Sequence, residues 1–298
     1  MIRSPFFYVG DKSKLMSQLI ELMPTEIDTF FDVFTGGGSA FLNVQAKHIL
    51  ANDLETQLII LHRGLASYAK NPQRLLDELF DLISHYGLSC SFKGSAIPED
   101  LRTSFPKTYF AHFNKDAYLK LRVDFNADKS DSRKLYLLLI YGFNRMLRFN
   151  KSGDFNLPVG NVDFNKNVVQ ALNAYLSFIA SSDVKFDNND YVKFVLNQKF
   201  GVNDFVYFDP PYLITFSEYN KVWNLDRERE LYALLDELDK QGVRFGLSNM
   251  LEHKGRQNEL LETWSRRYKV HEIQSNYISF NDNSIKSGSR EIYVTNHG

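Results

Sequence analysis

The sequence predicts an α/β fold in which one parallel sheet is drawn from both ends of the chain and a mostly helical insert lies between them. Three observations carry this. Short apolar runs end in glycine or an acid near the N-terminus, and again in the C-terminal half. These runs alternate with helical patterns, the order that builds a parallel sheet. The stretch between the two halves, residues 61–164, is dominated by helical patterns.

The elements follow in order. "TFFDVF" (29–34) is a short apolar run stopped by glycines, which is expected of a buried strand. "AFLNVQAK" (40–47) reads as helix, and "HILANDLE" (48–55) as a second strand ending at Asn52 and Asp53. In the insert, "NPQRLLDELFDLISHYG" (71–87) and "SRKLYLLLIYGFNRML" (132–147) are helical, and the polar "GSAIPEDLRTSFPK" (94–107) interrupts them. Alternation resumes near Val184. "DFVYF" and "VRFGLSN" read as strands, "DRERELYALLDELDKQG" as an amphipathic helix, "GRQNELLETWSRRY" as another helix, and "KVHEIQS" and "SREIYVTN" as late strands. The expected division is a discontinuous domain of residues 1–60 and 165–298, with residues 61–164 inserted into it.

Composition narrows the function. The chain has 298 residues, 44% hydrophobic and 24% charged, with a net charge of -1, which argues against coating nucleic acid by bulk charge. The insert differs, with 15 lysines and arginines against 11 aspartates and glutamates. Between Asp131 and Asp154 it holds Arg133, Lys134, Arg145, Arg148 and Lys151 and no acid, a basic face that is either simply solvated or a local contact surface. Cys90 is the single cysteine, so neither an intrachain disulfide nor a cysteine zinc site is expected. No apolar stretch approaches the ~20 residues of a membrane span, and the N-terminus lacks the core of a signal peptide. A cytoplasmic setting is expected.

Two turns stand out. "FDVFTGGGSAF" puts Gly36, Gly37 and Gly38 directly after a strand, where a backbone without Cβ atoms lets a ligand approach closely. The dinucleotide fingerprint fails at its third position, which is Phe41, and a P-loop fails because Asp11 precedes Lys12 and Ser13. Asp53, at the end of the next strand, is placed to accept both hydroxyls of a ribose, so the pair suits a ligand containing adenosine. The second turn is "DPPY". Pro210 and Pro211 lock the backbone and surrender their N–H groups, leaving the Asp209 carboxylate and the Pro210 carbonyl as acceptors. Two acceptors suit a planar amino group, and Tyr212 adds a flat face for a heterocycle.

With "PFFYVGDKSKL" first, "FTGGG" second, a long insert third and "DPPY" last, the chain resembles the Dam-type DNA adenine methyltransferases (D12 class, alpha group) over nearly its whole length. It looks nearest to the Dam enzymes of T-even phages, in "FVYFDPPYLITFSEYNKVW", "RFGLSNMLEHKGR" and "GFNRMLRFNKSGDFNLPVG". Residues 84–113 have no counterpart in the resemblance. It implies a Rossmann-like, S-adenosylmethionine-dependent sheet and methyl transfer to the 6-amino group of an adenine flipped out of duplex DNA. No metal is required.

The resemblance assigns catalysis to Asp209, Pro210 and Tyr212. It assigns the cofactor to Tyr8, Lys12, Phe34, Gly36, Asp53 and Asp209. Where the family often has Gly-Gly-Lys this chain has Gly10-Asp11-Lys12, which leaves the role of Asp11 open. Residues 142–160 match the family's base-reading hairpin. Arg148 aligns with an arginine that reads guanine, Asn144 would contact the duplex, and Phe143 would wedge into the gap left by the flipped base. Met146 and Pro158 would make apolar base contacts, while Arg145 and Lys151 would meet phosphates. A GATC-like site is expected, with the loop "FNDNSIKSGSR" (280–290) either touching the DNA backbone or standing as a hairpin tip. Double-stranded DNA is the implied partner. No obligate protein partner is implied, and a cognate restriction endonuclease stays open. Two alternatives remain: another exocyclic amine, in RNA adenine or protein glutamine, and a DNA-binding module without catalysis.

Overall fold

The computed structural model describes residues 1–8, 10–215, 223–274 and 289–298. A central sheet runs in the order β3-β2-β1-β4-β5-β8-β7, formed by β1 (Thr29–Asp32), β2 (His48–Asn52), β3 (Asp183–Asp187), β4 (Phe205–Phe208), β5 (Arg244–His253), β7 (Lys269–Ile273) and β8 (Ser289–Thr295). A two-residue strand, β6 (Arg256–Gln257), pairs only with β5. The strands from β3 to β5 are parallel, and β8 runs antiparallel between β5 and β7. The fold is thus the expected mixed α/β arrangement around a Rossmann-like sheet. Its strand order reverses between β1 and β4. Open α/β sheets bind ligands at such a switch point, at the carboxyl ends of the strands.

Successive side chains on a strand face opposite ways, so each strand feeds two cores. Phe30, Phe205 and Tyr207 enter one, and Phe31, Val206, Phe208 and Phe245 enter the other. The second core is closed by α8 (Tyr191–Leu196), α9 (Leu225–Lys240) and α10 (Glu259–Ser265). The first runs without a break through α1 (Met16–Glu21), α2 (Thr56–Ala66) and α7 (Lys166–Ser181) into helices of the insert: α3 (Pro72–Tyr86), α5 (Tyr109–Ala127) and α6 (Ser132–Tyr141). Residues 84–113 form the end of α3, a 3-10 turn at Ser91–Lys93, α4 (Glu99–Ser104) and the start of α5. No helix among the described residues is long and apolar enough to cross a membrane.

Local chemistry explains the boundaries. The α3 helix opens on Asn71, whose side chain accepts the Arg74 N–H, with Pro72 in its first turn, and it ends on Gly87 in the left-handed conformation. The α9 helix opens on Asn224, which accepts from Asp226 and Arg227. Glu228, buried in its first turn, takes donors from Trp223, Tyr232, Asn249 and Asn258, tying α9 to β5 and to the cap of α10. One expected helix is absent: residues 40–43 form turns and 44–47 lie outside any helix. The Ser39 carbonyl takes the Asn43 side-chain amide at 2.9 Å while the Asn43 N–H turns to Ala40, and the Lys47 N–H goes to the Ile27 carbonyl at 3.4 Å. Those bonds replace i to i−4 rungs at both ends of the segment.

Candidate active site

The carboxyl ends of β1, β2 and β4 bring the two singled-out turns to one edge of the sheet. After β1 the chain enters the glycine turn. Gly36 has φ +50°, and among the described residues no heavy atom lies within 4 Å of the place a Cβ would occupy, so they leave this side of the turn open to a ligand. Its neighbours are crowded from within. A Cβ on Gly37 would stand 3.0 Å from the Ser4 hydroxyl and 3.1 Å from Tyr8, and one on Gly38 would stand 2.5 Å from the Phe41 ring. Asp53, just past β2, spans the open side. Its two oxygens accept the Gly36 and Glu55 N–H groups, each at 2.9 Å. A carboxylate has about four lone-pair sites, so acceptor capacity remains for hydroxyls. Burial pushes Asp53 up to about 6, while those amides pull it back.

His62, on α2, supports the turn from below and was missed by sequence reasoning. Its Nε2–H donates to the Gly36 carbonyl at 2.9 Å, which leaves Nδ1 to accept the Tyr175 hydroxyl at 3.1 Å. Burial lowers its pKa to about 4, so the ring is neutral. Asp11, whose role was open, binds the Ser39 hydroxyl and the Ser13 N–H and hydroxyl, joining the first motif to the glycine turn. Tyr8 is buried, with its Cβ against Gly37. Phe34 lies half-buried against Tyr191 and Trp223.

After β4 stands Asp209. The Lys12 ammonium is 3.2 Å from its Oδ1 and 4.7 Å from the centre of the Tyr212 ring. The Tyr212 hydroxyl lies 3.2 Å from the same Asp209 oxygen and donates to Glu291 Oε1 at 2.6 Å. Burial lifts Asp209 to about 6; Lys12 works against that shift and Glu291 adds to it. Pro210 is buried and Pro211 half-buried, which keeps the turn rigid. Glu291 comes from β8, opposite Met250 of β5, and Met250 in turn packs on Tyr212. No motif pointed to it. Lys12, Asp209 and Tyr212 therefore meet directly, as do Gly36 and Asp53.

The residues assigned to base reading gather elsewhere, on a hairpin. It opens with a Gly142–Val159 bridge, continues through a Phe149–Phe155 bridge and turns at an exposed Lys151. Its root is pinned by close packing, since a Cβ on Gly160 would stand 2.6 Å from the Gly142 carbonyl. Phe143 is 52% exposed, Asn144 and Pro158 are exposed, and Met146 is half-buried. Asn144 and Arg145 both have left-handed backbones. Arg148 is held by Asn156, whose side-chain oxygen takes its Nε–H at 2.9 Å and whose carbonyl takes its Nη2–H at 2.7 Å. Arg145 lies over the Phe7 ring at 4.1 Å, its Nε buried and without a hydrogen-bond partner among the described residues. It links the hairpin to the segment that carries Tyr8 and Lys12. The 280–290 loop falls mostly outside the described residues; only Ser289 and Arg290 are seen, at the start of β8. Among the described residues, no group of three metal-ligating side chains could hold a metal ion.

Comparison with known proteins agrees with this arrangement. The sequence matches the family described as D12 class N6 adenine-specific DNA methyltransferase over residues 8–278. It is 34% identical over 306 residues to the modification methylase StsI of Streptococcus sanguinis, and 34% over 304 residues to the type II methyltransferase M.FokI of Planomicrobium okeanokoites. The modification methylase LlaI of Lactococcus lactis subsp. lactis is 27% identical over 302 residues. Each alignment takes in 99% of this chain but 43% of the relative, so the chain spans less than half the length of these proteins. The kinship expected with T-even phage Dam enzymes is corrected by these matches, which are to modification and type II methyltransferases.

Proposed function

The chain belongs to the D12 class family of N6 adenine-specific DNA methyltransferases, and from that premise we propose that it methylates the 6-amino group of an adenine in duplex DNA. The observation that carries the reading is the buried contact of Lys12, Asp209 and Tyr212 beside the open Gly36–Asp53 turn, all on the carboxyl edge of the sheet. S-adenosylmethionine is the methyl donor in this reading; bound there, it supplies an electrophilic methyl group on a sulfonium. Gly36, Asp53, Phe34, Tyr8, Lys12 and Asp209 would hold it. The open side of Gly36 and the spare acceptor capacity of Asp53 suit its adenosine half.

The amine's lone pair is delocalised into the adenine ring, which makes it a weak nucleophile. The Asp209 carboxylate and the Pro210 carbonyl would take its two hydrogens and turn the lone pair out of the ring plane. This is catalysis by positioning and fixed charge. Tyr212 would lie beside the flipped base, extruded from the stack because the amine is otherwise out of reach. Residues 61–164 would form the target-recognition region. Arg148 would read a guanine edge through the donors that Asn156 leaves available, with Asn144, Met146 and Pro158 at neighbouring positions and Phe143 filling the gap. The site proposed is short and GATC-like, and a restriction endonuclease of the same specificity is the functional counterpart suggested by the relatives' names.

The test is to incubate the purified chain with unmethylated plasmid and S-adenosylmethionine and to map modified bases by single-molecule sequencing. N6-methyladenine confined to one short motif is the expected result. Unmodified DNA, with the donor demonstrably bound, would redirect the reading to RNA adenine or a protein amide.

A further inference from the structure

Glu291 belongs to none of the motifs, yet it is 1% exposed at the centre of the site. Its Oε1 accepts the Tyr212 hydroxyl at 2.6 Å and lies 3.8 Å from Lys12. Its Oε2 is buried and has no hydrogen-bond partner among the described residues. A tyrosine has a single hydroxyl hydrogen, and the shorter contact places it on Glu291 rather than on Asp209 at 3.2 Å. Among the described residues the cluster therefore holds two carboxylates, Asp209 and Glu291, against one ammonium, Lys12. A buried surplus of negative charge with an unpartnered acceptor oxygen is costly unless something positive arrives.

We propose that Glu291 is a specificity-determining residue for charge on the methyl donor, favouring the sulfonium form and expelling the neutral thioether left after transfer. The inference rests on the methyl-donor reading above. S-adenosylmethionine carries one net positive charge, which balances the cluster. S-adenosylhomocysteine has lost the sulfonium and is net neutral, so it leaves the surplus in place. Glu291 thus couples completion of the reaction to release of the spent donor without touching DNA.

Calorimetric titration of the full chain, without DNA, reads this directly. The probes are S-adenosylmethionine, S-adenosylhomocysteine and sinefungin, whose amine keeps a positive charge near the sulfonium position. The wild-type chain should prefer both cationic probes over the thioether. Glu291→Gln still offers Tyr212 an oxygen but has lost the charge. It should cut the preference for S-adenosylmethionine over the thioether by at least about tenfold, the effect of one unit charge acting over roughly 12 Å at an effective dielectric of ~20 and larger at closer range. Glu291→Asp and Tyr212→Phe keep the charge and should keep the preference, even where overall affinity falls.

An unchanged preference in Glu291→Gln, with both nucleosides still bound, would overturn the proposal and leave the methyl-donor reading standing. A wild-type chain that binds none of the probes would overturn both. If Glu291→Gln does not fold, the wild-type comparison decides: equal affinity for sinefungin and the thioether overturns the proposal, and a clear preference for sinefungin supports it.

Discussion

At the carboxyl edge of the sheet, Lys12, Asp209, Tyr212 and Glu291 hold one another and are nearly hidden from solvent. Along the hairpin, Phe143, Asn144 and Pro158 stand exposed, and the arginine assigned to reading is set by a single asparagine. Under the proposed function, the two regions would divide the work of a sequence-specific enzyme. Groups that act on developing charge gain from being fixed and desolvated in advance. Groups that recognise a duplex must be free to meet it, so their contacts form only on binding. The regions share one core, and they touch where Arg145 covers Phe7 just ahead of Tyr8 and Lys12.

Substitutions should separate the two regions, and the largest effect is expected at the buried one. Asp209→Ala should lower single-turnover methyl transfer by about a thousandfold or more, as loss of a group acting on transition-state charge does, while duplex affinity holds. Equal loss of binding and transfer would erase the division. On the hairpin, Arg148→Ala should remove about 1–3 kcal/mol of discrimination at one base pair. Asn156→Ala leaves the arginine but frees it, and should give a smaller loss at the same base pair. Competition among duplexes with single substitutions measures both, and an unaltered preference in each would take the hairpin out of sequence reading.

The smallest effect is expected on stability. Burial raises Asp32 from 3.8 to about 7, with Asp209 and Asp53 adding to the shift against Thr35 and Phe41. The folded chain then keeps a proton that the unfolded chain has lost, so this group's contribution to stability falls as pH rises from about 4 through 7. Asp32→Asn should flatten that part of the melting profile and raise the melting temperature at pH 8 by about 2–4 °C, the response to roughly 1 kcal/mol in a large domain. An unchanged profile would show that the buried edge carries no such strain.

Much of the site was legible because its signals are local. Glycines and prolines constrain their own backbone, so "FTGGG" and "DPPY" declare turns wherever the chain goes, and an apolar run before each places it at a strand end. What could not be read depends on distant partners. Residues 40–47 carry a helical pattern, but the Asn43 side chain and the distant Ile27 carbonyl take backbone groups a helix would need. Glu291 lies 79 residues beyond Tyr212, and only the pairing of β8 with β5 turns it into the site. His62 has no local signal, and its role comes only from α2 packing beneath the glycine turn. Arg145 shares a basic stretch with Arg148, and its left-handed backbone and its contact with Phe7 could not be read from that stretch.

The place of β8 also bears on how the protein is made. A ribosome delivers this strand after the seven others, yet it lies between β5 and β7. A growing chain that has reached β7 still has a gap in its sheet, lacks Glu291 and leaves the edge of β5 open to stray strands. Assembly of the candidate site therefore waits for the last strand of this sheet. Damage or premature termination before residue 289 should yield an inert, aggregation-prone fragment rather than an enzyme of relaxed specificity.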